Sequence, residues 1–181
     1  GGGARRAGAT GRVGPRRRTR PSTSAAAPSS TSCAADDDHA PGAGMTLFVD
    51  TSALVRRYVQ GPGRDLVLEV MAGDPAWCAS ALCRSETLLA LHRLAVTPGQ
   101  HERMWGRLRD DWDAFVVIPV DDRCLAQAVE LGATYGLRTV DAVHLAAADR
   151  LPRPARYVTF DRRQIPAAAA LGFEVISPES R

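Results

Sequence analysis

The chain contains no lysine; all 23 basic residues among its 181 are arginine. A P-loop needs its lysine on the phosphates, so that class of nucleotide enzyme is excluded. Phosphoaspartyl enzymes and receiver domains, which also rely on a lysine beside their acids, are excluded with it. Together with abundant Ala, Gly, Pro and Val, the missing lysine suggests a strongly GC-biased bacterial genome. Cysteine is scarce. Cys33, Cys78, Cys83 and Cys124 form no CxxC pair and no zinc-ligand spacing, and Cys33 lies apart from the other three. Reduced thiols in a cytoplasmic protein are the expectation. No apolar run approaches the roughly 18 residues of a membrane span. The basic N-terminal stretch has no apolar segment after it, so it does not read as a signal peptide.

Aromatic residues are few, and none of them lies before Met45. From Gly1 to Gly44 there is also no Leu and no Ile, and Val13 is the only branched aliphatic residue. Such a segment buries too little apolar surface to offset its ordering entropy. Residues 1–44 are therefore expected to be a disordered Arg/Ala/Ser/Pro-rich tail, and because Met45 stands just before the first strand, a start placed too far upstream is the favoured reading of it over a native segment. Residues 45–181 are expected to form one domain. The tail carries seven arginines against three aspartates, a net +4, and the domain sixteen arginines against seventeen acids, a net −1. The formal charge of +3 therefore belongs to the tail, where it could hold nucleic acid electrostatically. The near-neutral domain offers no obvious basic groove, although Arg56, Arg57, Arg162 and Arg163 flank acid-bearing strand ends and could grip phosphates.

Within the domain, short apolar runs alternate with helical periodicity. Leu47–Val49, Trp77–Ala79, Phe115–Ile118, Tyr157–Phe160 and Phe173–Ile176 read as strands. They are apolar without alternation, as strands covered on both faces are. Helices are expected over 53–58, 64–71, 81–96 behind a Ser80 cap, 99–113, 122–135 with Gly136 at its end, 140–150 and 167–171. This pattern predicts a three-layer α/β/α sandwich on a central parallel sheet.

Four acids interrupt that pattern. Asp50 and Asp161 each follow a buried strand, at the carboxyl edge where open α/β sheets place their sites. Glu86 lies inside an otherwise apolar helical stretch, and Asp141 lies in the first turn of an apolar helix. Each has an ordinary explanation alone: a cap, a solvated face, a helix-dipole partner, a turn. Together they suggest one shared cause. Carboxylates converging on a site stay ionised together only around a cation, and oxygen ligands without His or Cys suit Mg²⁺ or Mn²⁺ rather than Zn²⁺.

In order, Phe48-Val49-Asp50-Thr51-Ser52-Ala53-Leu54, the helical Ser85-Glu86, Asp141-Ala142-Val143-His144-Leu145-Ala146 and Thr159-Phe160-Asp161-Arg162-Arg163 resemble the PIN domain. The likeness is to VapC-type toxins of bacterial toxin–antitoxin pairs, and it covers Met45 to about Ser177. It implies an Mg²⁺- or Mn²⁺-dependent endoribonuclease. Carried over to this chain, Asp50 and Asp141 are principal metal ligands and Glu86 completes the cluster directly or through water. Asp161 holds a second ion or orients the attacking water. Ser52 and Thr159 hydrogen-bond that water or a phosphate oxygen. Cleavage would leave a 3′-hydroxyl and a 5′-phosphate. The resemblance also implies an RNA substrate, a homodimer and a cognate antitoxin that covers the acidic cleft. The helix over 99–113, with Trp105 and Trp112, is the candidate for one such protein surface, although at helical spacing both rings read first as core.

Other readings carry less. A catalytically silent PIN-like module binding RNA or protein would have no reason to keep four repelling carboxylates. A metal-dependent phosphatase on another α/β fold would need a lysine and an Asp-x-Asp after the first strand. A flap-type nuclease would carry longer insertions. His144 reads as a satisfied buried residue rather than a base, His92 and His101 as surface residues, and Cys78 and Cys83 as small buried hydrophobes.

Overall fold

The computed structural model describes residues 45–178; the tail and its predicted disorder lie outside the described residues. Five strands form one sheet in the order β3-β2-β1-β4-β5, each pair parallel. The strands are β1 (Thr46–Val49), β2 (Ala76–Ser80), β3 (Phe115–Ile118), β4 (Ala155–Val158) and β5 (Glu174–Ile176). Between them run α1 (Thr51–Tyr58), α2 (Arg64–Ala72), α3 (Ala81–Leu94), α4 (Pro98–Trp112), α5 (Asp122–Tyr135), α6 (Thr139–Ala148) and α7 (Gln164–Ala170).

Successive residues of a strand point to opposite faces, so β1 splits the core in two. Leu47 and Val49 pack with Leu54 of α1, Met71 of α2, Leu91 of α3 and Leu108 of α4. Phe48 faces the other way, stacked on Tyr157 of β4 at 5.3 Å, among side chains of α5, α6 and α7. Helices α1–α4 cover one face and α5–α7 the other, which is the predicted three-layer sandwich. Every residue of α6 from Asp141 to Ala148 is buried, and its alanines allow the close approach to the sheet and to α5 that this requires.

The chain leaves β1 towards β2 on one side and returns to β4 on the other. The crevice between the carboxyl ends of β1 and β4 is therefore the topological switch point, where open α/β sheets bind ligands. Backbone pairing continues past both strand ends: Asp50 N donates to Val158 O at 3.1 Å across the crevice, and Thr159 N to Ile176 O of β5 at 3.1 Å on the other side of β4.

Several expectations need correction. Strand β3 is an edge strand, with Val116 54 % and Val117 39 % exposed, so it is not covered on both faces as its apolar run suggested. Pro98 does not simply end α3; it starts α4 behind a Thr97 cap that accepts from Gln100 N, because a proline at a helix start forfeits no hydrogen bond. Helix α7 begins at Gln164, three residues before the expected start, because Pro166 falls in its first turn, where proline is tolerated. On α4, Met104, Leu108 and Trp112 are core, and Trp105 is half-buried, packed against the same core and against His101 at 4.4 Å.

Candidate active site

Asp50 caps α1 at the end of β1, in extended conformation, and is 1 % exposed. Its Oδ2 accepts from Ser52 N at 3.1 Å, from the Ser52 hydroxyl, and from Thr159 Oγ1 at 3.1 Å. Ser52 Oγ in turn accepts from Phe160 N at 2.8 Å, so the expected hydroxyls, Ser52 and Thr159, serve as Asp50's anchors and tie α1 to the turn after β4. Asp141, 4 % exposed, enters from the first turn of α6. The Gln164 amide lies between these two acids, with Nε2 donating to Asp141 Oδ1 at 3.1 Å and to Asp50 Oδ1 at 3.3 Å.

Glu86 stands on α3 with a different set of partners. Thr51 Oγ1 donates to its Oε2 at 2.8 Å, and His144 Nε2 lies 2.5 Å from the same oxygen. His144 is 1 % exposed, and its Nδ1 lies 2.7 Å from Ser80 Oγ. Both ring nitrogens are therefore engaged, as expected of a satisfied buried histidine. Burial alone would raise the Glu86 carboxyl, but the hydrogen bonds from His144 and Thr51 outweigh it and hold Glu86 below the usual carboxylate range. Burial likewise pulls the imidazole down, and Glu86, Asp50 and Asp141 outweigh it, so His144 is raised. The contacts from His144 and Thr51 favour the ionised form of Glu86 and fix its direction.

Asp161 sits in the turn after β4, where Arg163 holds it through Nε at 3.1 Å and Nη2 at 2.8 Å. The Arg163 hydrogen bond is also the main cause of the lowered Asp161 carboxyl. Arg138, just ahead of α6, joins two of the acids: its Nε donates to Asp141 Oδ2 at 2.9 Å and its Nη2 to Asp161 Oδ2 at 3.0 Å. All four acids line one cleft of about 850 Å³, walled on one side by Gln100, Arg103, Met104 and Arg107 of α4.

The donor set fits a hard divalent cation: carboxylate oxygens at a cleft floor, with the local histidine already committed elsewhere. Among the described residues, no three His, Cys, Asp or Glu side chains converge into a closed ligand set. The Gln164 amide and the Arg138 guanidinium occupy the spaces between carboxylates instead. Of the two, Arg138 is the exposed one, at 63 % along its side chain.

Of the arginines expected to grip phosphates, Arg56 lines the cleft, over the Phe160 ring at 5.6 Å. Arg57 does not. Its guanidinium is bound to Asp111 and packs over Trp77 at 5.2 Å, because its position on α1 faces α4. Arg103, Arg107 and Arg138 line the cleft in its place, a basic wall that near-zero net charge concealed. Gln164 and Arg138 were missed because neither a glutamine nor one arginine among many carries a chemical signature. His92 is exposed, as expected, but His101 is half-buried against the Trp105 ring, and the two imidazoles meet at 3.3 Å.

Comparison with known proteins places this geometry. The PIN domain model matches residues 47–170. The chain belongs to the PIN family. Two relatives set its place within that family. It is 35 % identical over 133 residues to Ribonuclease VapC46 of Mycobacterium tuberculosis, an alignment covering 73 % of this chain and 97 % of the relative. It is 30 % identical over 138 residues to Ribonuclease VapC47 of the same species, covering 73 % and 96 %. The PIN fold recurs in solved structures. FitAcB from Neisseria gonorrhoeae superposes with a TM-score of 0.59 at 17 % identity, over 75 % of this chain and all of that one. A toxin–antitoxin complex from Klebsiella pneumoniae gives 0.55 at 20 %, over 74 % and 97 %. This PIN domain is thus of the VapC ribonuclease kind, a group whose activity depends on a divalent cation.

Proposed function

We propose that this PIN domain is an endoribonuclease toxin whose cleft binds Mg²⁺ or Mn²⁺ through Asp50, Asp141 and Glu86, with Asp161 completing the acidic wall. The reading rests chiefly on one observation: four acids from four separate segments of the chain line a single cleft at the switch point of the sheet. When bound, the cation acidifies a water and neutralises charge on the scissile phosphate. The chain's own residues do the rest. Thr159 and Ser52 fix the Asp50 carboxylate, and His144 and Thr51 keep Glu86 ionised. Arg56, Arg103 and Arg107 hold RNA phosphates along the α4 wall without reading sequence. Arg138 bridges Asp141 and Asp161, and were those carboxylates to hold a cation its guanidinium would be a further hydrogen-bond donor to an RNA phosphate. Hydrolysis consumes one water and leaves a 3′-hydroxyl and a 5′-phosphate.

No helix among the described residues is long and apolar enough to cross a membrane, and a cytoplasmic setting with RNA, a cognate antitoxin and a second copy as partners follows from the same reading. The test is cleavage of mixed single-stranded and structured RNA by the purified full chain with Mg²⁺, with Mn²⁺ and with chelator. We expect cleavage with either metal, none in chelator, and none in a folded Asp141→Asn variant. Equal cleavage by that variant, or cleavage indifferent to chelator, would refute the assignment.

A further inference from the structure

Gln164 is unexplained by a site built of acids. It is 2 % exposed at the first position of α7, and a buried primary amide must satisfy a carbonyl oxygen and two N–H groups. Tyr157 Oη donates to Gln164 Oε1 at 2.6 Å. The phenol is itself fully buried and stacked on Phe48. With its oxygen end taken by a donor, the amide must turn its nitrogen to the cleft, where Nε2 donates to Asp50 and Asp141 together. The reverse orientation would set a carbonyl oxygen against two carboxylates and leave the phenol without an acceptor. The orientation of the amide is therefore dictated by its neighbours' chemistry.

We propose that Gln164 is a positioning residue for the divalent cation: oriented by Tyr157, its amide clamps the facing oxygens of Asp50 and Asp141 in a shared arrangement that the cation meets ready-made. The inference rests on the metal reading of the cleft. Its physical basis is that ligand carboxylates are themselves held by hydrogen-bond donors, and losing such a donor typically weakens metal affinity about 10–100-fold. A hydrocarbon at position 164 would leave two buried carboxylates facing each other with no common donor between them, and they would turn apart. Gln164 touches neither water nor phosphate in this scheme. Its loss should raise the metal concentration needed for half-maximal cleavage and leave kcat at saturating metal largely intact.

The experiment is calorimetric titration of Mn²⁺, without RNA, into the metal-stripped full chain and its variants Gln164→Leu, Tyr157→Phe, the double variant and Asp141→Asn. Thermal melts in chelator check the fold of each. Gln164→Leu is expected to weaken Mn²⁺ binding about tenfold or more, and Tyr157→Phe by less. The double variant should match Gln164→Leu alone, since without the amide the phenol has nothing to orient. If Gln164→Leu does not fold, Tyr157→Phe carries the test, because it keeps the ring and its stacking. Mn²⁺ binding of wild-type strength in the folded variants would overturn the inference, and so would losses that simply add in the double variant, the mark of packing damage. No Mn²⁺ uptake by the wild type, or uptake undiminished by Asp141→Asn, would instead bring down the metal reading, and this inference with it.

Discussion

Replacing Asp111 with Ala should destabilise the domain by about 2–3 kcal/mol, a figure set between two limits. The Asp111 carboxylate accepts from Arg57 Nε at 2.7 Å, Arg57 Nη2 at 3.0 Å and Tyr58 Oη at 2.9 Å, bolting α1 to α4. A surface ion pair is worth about 0–1 kcal/mol, and breaking a fully buried one costs about 3–5 kcal/mol. Here the two side chains are 21 % and 23 % exposed, so water can partly replace what Arg57 loses. Tyr58, at 7 % exposure, cannot recover its acceptor so easily, which places the cost in the middle. Urea denaturation should show a lower midpoint with an unchanged slope. A cycle with Arg57→Ala should show the two losses to be far less than additive. The pH dependence has a definite sign. Burial raises the Asp111 carboxyl, but the Arg57 and Tyr58 hydrogen bonds outweigh it and hold it below its ordinary value. The stabilisation is therefore complete above the unfolded carboxylate pKa of about 3.9 and is lost as pH falls through the lower folded value. The gap between wild type and variant should stay constant from neutrality to about pH 5 and close in stronger acid. A cost under about 0.5 kcal/mol, the range of ordinary surface substitutions, would refute this account, as would a gap that widens on acidification.

Gly63 has φ +82°, and a Cβ there would stand 2.2 Å from Phe160 Cε1. Gly63→Ala should therefore lower stability by about 2–4 kcal/mol, from left-handed strain and overpacking together; an unchanged melting temperature would contradict it. Arg103→Ala, on the α4 wall of the cleft, should weaken binding of single-stranded RNA irrespective of sequence. It should also reduce the salt slope of log K by about 0.7 without altering the melt, and a salt slope equal to that of the wild type would remove Arg103 from the RNA path.

The layered architecture was legible because burial writes itself into composition. The continuous apolar runs Leu47–Val49 and Tyr157–Val158 could only be interior strands, and the alanines of 146–148 only a helix pressed against something. Edge status was not legible: Phe115–Ile118 is as apolar as β1, and strand order, which no local pattern encodes, decides that β3 has an open side. Proline misled at Pro98, because the same residue stops a helix or starts one depending on where the preceding turn happens to lie. The late start expected for α7 left Gln164 in a supposed loop, and its role stayed out of sight.

The acids followed the same division. Asp50, Glu86, Asp141 and Asp161 were conspicuous because each interrupts an apolar pattern, which is a property of neighbours along the chain. Their partners are neighbours only in space. His144 meets Glu86 across 58 positions, Thr159 meets Asp50 across 109, and Gln164 reaches Asp50 across 114. Arg57 and Arg103 are the same residue type in similar helical contexts, yet one is bound to Asp111 and the other faces the cleft, because helix packing alone decides which way a surface position points. Composition and local pattern set which residue types were available, which segments must be interior, and hence the α/β/α fold with its acids at strand ends and on helices. Which side chains meet is a matter of packing, since the crevice between β1 and β4 comes from the crossing of distant segments and not from any pattern within one of them.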